Sequence, residues 1–225
     1  MLYYASTIVK PKEVIFLIDR DALRECARAA LEPVKSHPYR ETGWAYRHGW
    51  RTAALAIWLR GQLLPQETEL DDVLYAAGLF HDCAKDDEAD HAAAGSRRVV
   101  ELLDGIELSG LLPAVTQAIY RHNKRQRDEY TAAEKILQDA DIIDHFGTIE
   151  IWLNTSYSVL SGSGPEVSTA FYREGWQGMI DDLRGQFNYE LSRRIFEDRI
   201  SYNEEYIRRL AVESVGGVYD AQRIL

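Results

Sequence analysis

The sequence predicts an all-α protein, and three observations carry the prediction. Apolar residues recur at 3.6-residue spacing along most of the chain, alternating strand patterns are nearly absent, and Gly or Pro closes the stripes. Leu23, Cys26, Ala27, Ala30, Leu31 and Val34 form the first stripe, ended in the Pro33 to Pro38 region. His48, Thr52, Leu55 and Leu59 form the next, closed near Gly61 and Pro65, and Leu70, Leu74, Ala77 and His81 the third. His91, Gly95, Val99 and Leu102 share a fourth face, and Val115, Ala118, Ile119 and His122 a fifth. Thr131 and Glu134 read as a capping box, each satisfying the other's free amide, ahead of a helix with Leu137, Asp141 and Asp144 on one face. Ser161 to Pro165, "SGSGP", is the clearest loop. Two amphipathic stretches follow it, the last from about Asn188 to Val212. Only "YASTIVK" and "EVIFLI" near the start alternate, and these read as an arm or a short first helix.

Composition narrows the function. The 225 residues suffice for one substantial core, with 46% hydrophobic and 28% charged residues, a soluble balance. The longest apolar run, Ala53 to Leu59, is too short for a membrane span, and no secretory signal is visible. Cys26 and Cys83 are the two cysteines, so a disulfide framework is excluded and a reducing cytoplasm is expected. A net charge of −10 argues against tracking a nucleic acid, though not against a small phosphorylated substrate.

Four stripes place a histidine where a leucine is expected: His48, His81, His91 and His122. Asp82 follows His81 directly, and Asp141 sits on the sixth stripe. Each buried polar group costs free energy unless it finds a partner, and one divalent cation answers all of them. His81 and Asp82 point about 100° apart around a helix and can take neighbouring coordination positions. His48 and Asp141 could complete the set, leaving positions for water or substrate.

The order His48, His81-Asp82, Asp141 resembles the HD superfamily of metal-dependent phosphohydrolases. "YRHGWRTAALA" resembles its first-histidine helix and "LFHDCAK" its doublet helix. "DHAAAGSRRVVELL", "AIYRHN" and "ILQDADIIDHFG" resemble the helices that follow, and "ELSRRIFEDRISYNEEYIRRL" the C-terminal helix of small bacterial members. The resemblance spans roughly residues 20 to 212. It implies a compact helical bundle with additional C-terminal helices, in one unit of 1–225: an arm at 1–19, a metal-binding core at 20–160 and an appendage at 166–225. It further implies hydrolysis of a phosphate ester, commonly with Mg²⁺, Mn²⁺, Fe, Zn²⁺, Ni²⁺ or Co²⁺.

His48, His81, Asp82 and Asp141 are the metal ligands that the resemblance implies. Asp144, one turn on, reads as an orienting carboxylate or a surface cap, and Asp139 as solvent-facing. Lys85 matches members with HD-x-x-K and reads as a phosphate-holding cation or a solvated helix-end lysine. It departs from members with an acidic residue there, which weakens transfer of their nucleotide specificity. Two-metal relatives hold the second ion with further histidines, but Asn123 stands where another often follows. The reading is therefore one metal, with His91 and His122 lining the phosphate pocket. Asp86, Asp87, Glu88 and Asp90 read as a solvated loop, with Asp90 the candidate for reaching back to water. Arg121 to Arg127 reads as a helix-end cluster or an anion-drawing rim. His37 and His145 read as surface or packing residues, the five tryptophans as core, and Cys83 as a small buried apolar residue. The expected substrate is a nucleotide or related phosphomonoester. The rival readings are a di-iron oxygenase of this fold and a metal- or nucleotide-binding sensor without turnover. Oligomeric state is not readable.

Overall fold

The computed structural model describes residues 18–85, 90–108, 110–125 and 128–224, and no strand occurs among them. "YASTIVK" and nearly all of "EVIFLI" lie outside this range, as do Asp86, Asp87, Glu88, Gln126 and Arg127. Asp19 opens α1 (Arg20–Leu31) by accepting from the Asp21 and Ala22 amides, and the helix buries Leu23, Ala27 and Leu31. Next come α2 (Trp44–Leu63) and α3 (Leu70–Phe80), which lie unusually close. A Cβ on Gly49 would run into the Leu79 carbonyl, and one on Gly78 would sit 2.5 Å from Ala53 Cα. Only glycine permits this approach, and it brings His48 beside His81.

Asp90 caps α4 (His91–Leu102) through the Ala93 amide, so its carboxylate is committed to the helix start and does not reach back into the site. It is followed by α5 (Leu112–Arg121) and then α6 (Ala132–Asp144), whose capping box forms between Thr131 and Glu134. Every residue of α6 from Ala133 on is buried except Lys135. After Asp144 the chain turns at Gly147, at φ 76°, and a separate α7 (Thr148–Leu160) begins. Beyond the loop lie α8 (Pro165–Glu174), α9 (Trp176–Arg184), α10 (Glu190–Glu213) and the short α11 (Ala221–Ile224). The first of the two expected C-terminal stretches is thus two helices, divided at Gly175.

The C-terminal helices share the core of the bundle. Phe146 meets Phe196 edge-on at 4.9 Å and Trp176 at 6.0 Å, and Trp176 meets Tyr172 at 5.5 Å. Arg199 donates to the Ile143 carbonyl at 2.6 Å, and Asn203 pairs with both backbone groups of Gly147 at 2.8 Å. This cover corrects the expectation for Asp139, which is fully buried. Its Oδ1 accepts from the amide and side chain of Asn188, and its Oδ2 from the Tyr189 amide. Helical spacing shows α6 turning one face to α2; it cannot show that the start of α10 covers the other. The tryptophans need correction too. Trp44 and Trp176 are buried, but Trp50, Trp58 and Trp152 are about half exposed, on outward faces of α2 and α7. No described helix is long and apolar enough to cross a membrane.

Candidate metal centre

His48 lies within α2, His81 and Asp82 directly follow the last residue of α3, and Asp141 sits in the buried middle of α6. Their donor atoms converge. His48 Nε2 is 3.0 Å from His81 Nε2 and 3.3 Å from Asp141 Oδ1, and His81 Nε2 is 3.5 Å from the same oxygen. Asp82 Oδ2 faces both rings at 3.7 and 3.8 Å.

The far side of each ring decides what the near side can do. His48 Nδ1 donates to Asp144 Oδ2 at 2.8 Å, and His81 Nδ1 donates to the Gly78 carbonyl at 2.8 Å. Carboxylates and carbonyls only accept, so both Nδ1 atoms carry the hydrogen, and each Nε2 presents a lone pair whenever its ring is neutral. Two lone pairs 3.0 Å apart, with two carboxylates around them, repel unless a cation or a proton lies between. Asp82 Oδ2 is in addition buried and accepts no hydrogen bond, with the Lys85 ammonium near it at 3.1 Å. The donor set therefore fits a divalent metal: imidazole nitrogen and carboxylate oxygen, oriented by second partners.

A second half lies across Asp82. His91 Nε2 and His122 Nε2 are 3.2 Å apart and stand 3.4 and 3.6 Å from Asp82 Oδ1. His122 Nδ1 donates to the Ile119 carbonyl at 2.7 Å, which again leaves Nε2 as an acceptor. Asp82, His91 and His122 could hold a cation, as could His48 with His81 and Asp82. Lys85 Nζ is 3.2 and 3.1 Å from the two Asp82 oxygens and donates to Oδ1. Lys85, read as a phosphate-holding cation or a solvated helix-end lysine, is paired with a ligand carboxylate.

Charge follows this arrangement. Burial pushes Asp82 and Asp141 upward, but the surrounding histidines, with Lys85 and Arg125 beside them, outweigh it and hold both well below the usual carboxylate range. Burial alone would lower His48, yet its bonds with Asp141 and Asp144 raise it to about 9. His91 is pushed down to about 4 by burial and by Lys85, and burial lowers His122 too. Asp144 sits at about 2: burial is overcome by His48 and by Arg51, whose Nε and Nη2 donate to it at 2.9 Å.

Three side chains escaped the sequence reading. His145, read as a surface or packing residue, is partly exposed but packs into the site: its ring stacks on His48 at 4.4 Å, and its Nε2 is 3.7 Å from Asp141 Oδ1. Its place four residues after Asp141, on the same helical face, was the available signal. Arg40 lies 5.0 Å over the Trp44 ring, and no carboxylate pairs with its guanidinium among the described residues. Trp44 in turn stacks on His48, nearly parallel at 5.5 Å. The third, Glu150, lines a cavity of about 950 Å³ that opens from the histidines and runs along α7. Arg40, Lys85 and Arg125 line the same cavity.

The basic cluster at Arg121 is mostly turned onto its own protein. Arg121 binds both Glu134 oxygens, and Lys124 donates to the Tyr120 carbonyl. Among the described cations of the cluster, Arg125 alone lines the cavity, donating to Asp141 Oδ2 at 2.8 Å. His37 is exposed, as expected, and stacks on Tyr157 at the cavity mouth. Cys83 is buried, with Sγ 3.5 Å from the Gly95 carbonyl.

Comparison with known proteins agrees with this architecture. Residues 45–145 match the HD domain family. A predicted HD superfamily hydrolase from an uncultured Thermotogales bacterium is 24% identical over 86% of this chain and 91% of its own, with a TM-score of 0.56. YpgQ of Bacillus subtilis, solved in complex with ADP, is 21% identical over 85% of this chain and 92% of its own, with a TM-score of 0.55. A Lactobacillus plantarum protein is 17% identical over 88% and 99%, also at 0.55. At these identities the likenesses speak for the fold. None of the curated proteins matches the chain. Residues 45–145 thus carry an HD domain, with His48, His81-Asp82 and Asp141 in order along its helices.

Proposed function

We propose that the protein is a metal-dependent phosphohydrolase acting on a small phosphate ester, a nucleotide or related phosphomonoester. One observation carries the reading: inward-facing histidine Nε2 atoms and an Asp82 oxygen that accepts no hydrogen bond meet at the end of a cavity that three cationic side chains line. His48, His81, Asp82 and Asp141 are the residues that would hold the cation, and Mg²⁺, Mn²⁺, Fe, Zn²⁺, Ni²⁺ and Co²⁺ are the candidates. When bound, such an ion supplies Lewis-acid activation of water and of the phosphoryl group.

The chain's own residues do the rest. Asp144 fixes the His48 tautomer, and Arg51 keeps Asp144 ionised for that task. His91, neutral at pH 7, carries its hydrogen on Nε2, where it donates to His122 Nε2 and can turn to a phosphoryl oxygen, and His122 Nε2 is then free to accept from water. Arg40 and Lys85 receive the phosphoryl oxygens, Arg40 through a planar fork held by Trp44. The ADP bound to YpgQ supports a nucleotide over a simple sugar phosphate. The core shared by α6, α8, α9 and α10 supports reading the metal-binding helices and the C-terminal appendage as one unit.

The test is elemental analysis of the purified protein, followed by a panel of phosphorylated metabolites with added metal. We expect about one divalent transition metal per chain and turnover of at least one phosphomonoester. Two equivalents would favour a second ion at Asp82, His91 and His122, the alternative that the geometry of those three donors supports. Metal binding with no hydrolysis of any phosphate ester would sink the enzymatic reading in favour of a sensor.

A further inference from the structure

The cavity is far larger than a phosphate needs. At about 950 Å³ it matches pockets that enclose a whole drug-sized ligand, so its remote end must meet the organic half of the substrate. That end is built on one face of α7. Glu150, Leu153, Asn154 and Tyr157 line it at helical spacing, and Phe171 of α8 lines it from the side. Most of this wall is apolar or aromatic, suited to the faces of a planar ring. Glu150 is the exception, and it is 93% removed from solvent, at 7% exposure.

Half of Glu150 is explained by the fold. Its Oε2 accepts from the Tyr172 hydroxyl at 2.9 Å and from Asn203 Nδ2 at 3.3 Å, joining α7, α8 and α10. Its Oε1 has no hydrogen-bond partner among the described residues, and neither does the side-chain amide of Asn154, one turn further along the same face. Glu150 is a buried residue that lines the cavity, so a free oxygen on it stands where a ligand donor can complete it. Burial lifts the Glu150 carboxyl to about 7 against the bond from Tyr172, as befits a carboxylate short of a donor.

We infer that Glu150 is a specificity-determining residue: its Oε1 accepts a hydrogen bond from an exocyclic amine on the substrate's heteroaromatic base, with Asn154 facing the same edge. The inference rests on the phosphohydrolase reading only in taking the phosphate to lie at the histidine end. A base lacking the amine leaves the oxygen unpaired, and discrimination of this kind against a ligand that lacks the donor is worth roughly ten- to a hundred-fold.

Calorimetric binding separates the possibilities, with two matched pairs of nucleoside monophosphates that differ only in one amine: adenosine against purine riboside, and guanosine against inosine. Wild type should bind the amine-bearing member of at least one pair ten-fold or more tightly. Glu150→Gln keeps the shape and can still accept from Tyr172, but it turns a donor toward the cavity and should abolish that preference. Tyr172→Phe loosens the helix junction yet leaves Oε1 in place, so it should keep the preference even if the Tm falls. The proposal is overturned if wild type binds no nucleotide or binds both pairs evenly, if Glu150→Gln retains the preference, or if Tyr172→Phe loses it as completely. A preference that follows Glu150 in a protein that hydrolyses no phosphate ester would sustain this inference and defeat the phosphohydrolase reading.

Discussion

The two halves of the centre use the same side-chain types to different ends. His48 and His81 are wholly buried, each anchored through Nδ1 and each facing Asp141. His91 stands at the cavity wall, partly exposed, and no bond to its Nδ1 occurs among the described residues. The closed half draws positive charge: its carboxylates lift His48 to about 9. The open half repels it: burial and Lys85 push His91 to about 4. A histidine's role here is set less by its ring than by how many carboxylates and cations share its space. The closed half is built to hold a cation, the open half to meet a ligand.

Removing the shared carboxylate should collapse the distinction altogether. Asp82 faces one half through each oxygen, so Asp82→Ala should strip the metal and all activity while leaving most helix content. Metal-site binding of roughly 10–16 kcal/mol spread over four ligands makes each worth about 3 kcal/mol, or a hundred-fold and more in affinity. Full metal occupancy in that mutant, read by elemental analysis, would show the ligand assignment to be wrong.

Acidity should sharpen the comparison, since only the closed half holds a proton at neutral pH. His48 is raised above its ordinary 6.5, so below about 9 an incoming cation must displace its proton. Metal affinity should rise about ten-fold per pH unit between pH 6 and pH 8, a hundred-fold in all, with about one proton released per ion. The same raised value means that the metal-free fold gains stability from protonated His48. That gain is complete below about 6.5 and is lost as pH rises toward 9. A flat affinity across this range would place the proton elsewhere.

The smallest effect tests the boundary between the halves. Lys85→Met keeps the apolar stem and removes the charge, so metal content should stay at the wild-type level while kcat/KM falls about ten-fold or somewhat more. A loss in kcat as well as kcat/KM would place the contact in the transition state, and a rise in KM alone would mean uniform binding. Unchanged kcat and KM would mean that Lys85 serves only to neutralise Asp82.

What was legible in the chain follows from the range of each interaction. The inward histidines and Asp141 interrupt regular stripes, and the capping box at Thr131 is read within four residues, so helix order and the convergent set could be inferred. Asp139 could not, because its burial depends on Asn188 and Tyr189, some fifty positions away. The separate α7 was hidden by apolar residues running on past Asp144, and the break depends on the single left-handed Gly147. Arg40 precedes α2 in a turn, where periodicity is silent, and its meaning comes from an absent partner. Glu150 looked like any acidic residue on a helix; only the packing of α8 and α10 buries it.

The histidine anchors carry a consequence for how the protein assembles. His81 and His122 each bond a carbonyl three residues earlier, whereas His48 reaches Asp144 across 96 residues. Contacts within one turn close with almost no loop entropy, while a distant pairing must wait for the chain ends to meet. Two of the nitrogen lone pairs are therefore aimed as soon as their own helix ends form, and the last donor arrives only when α2 docks on α6. Metal supplied during refolding would then meet a half-formed site before the native one exists, and the ion would act as a nucleus as well as a cofactor.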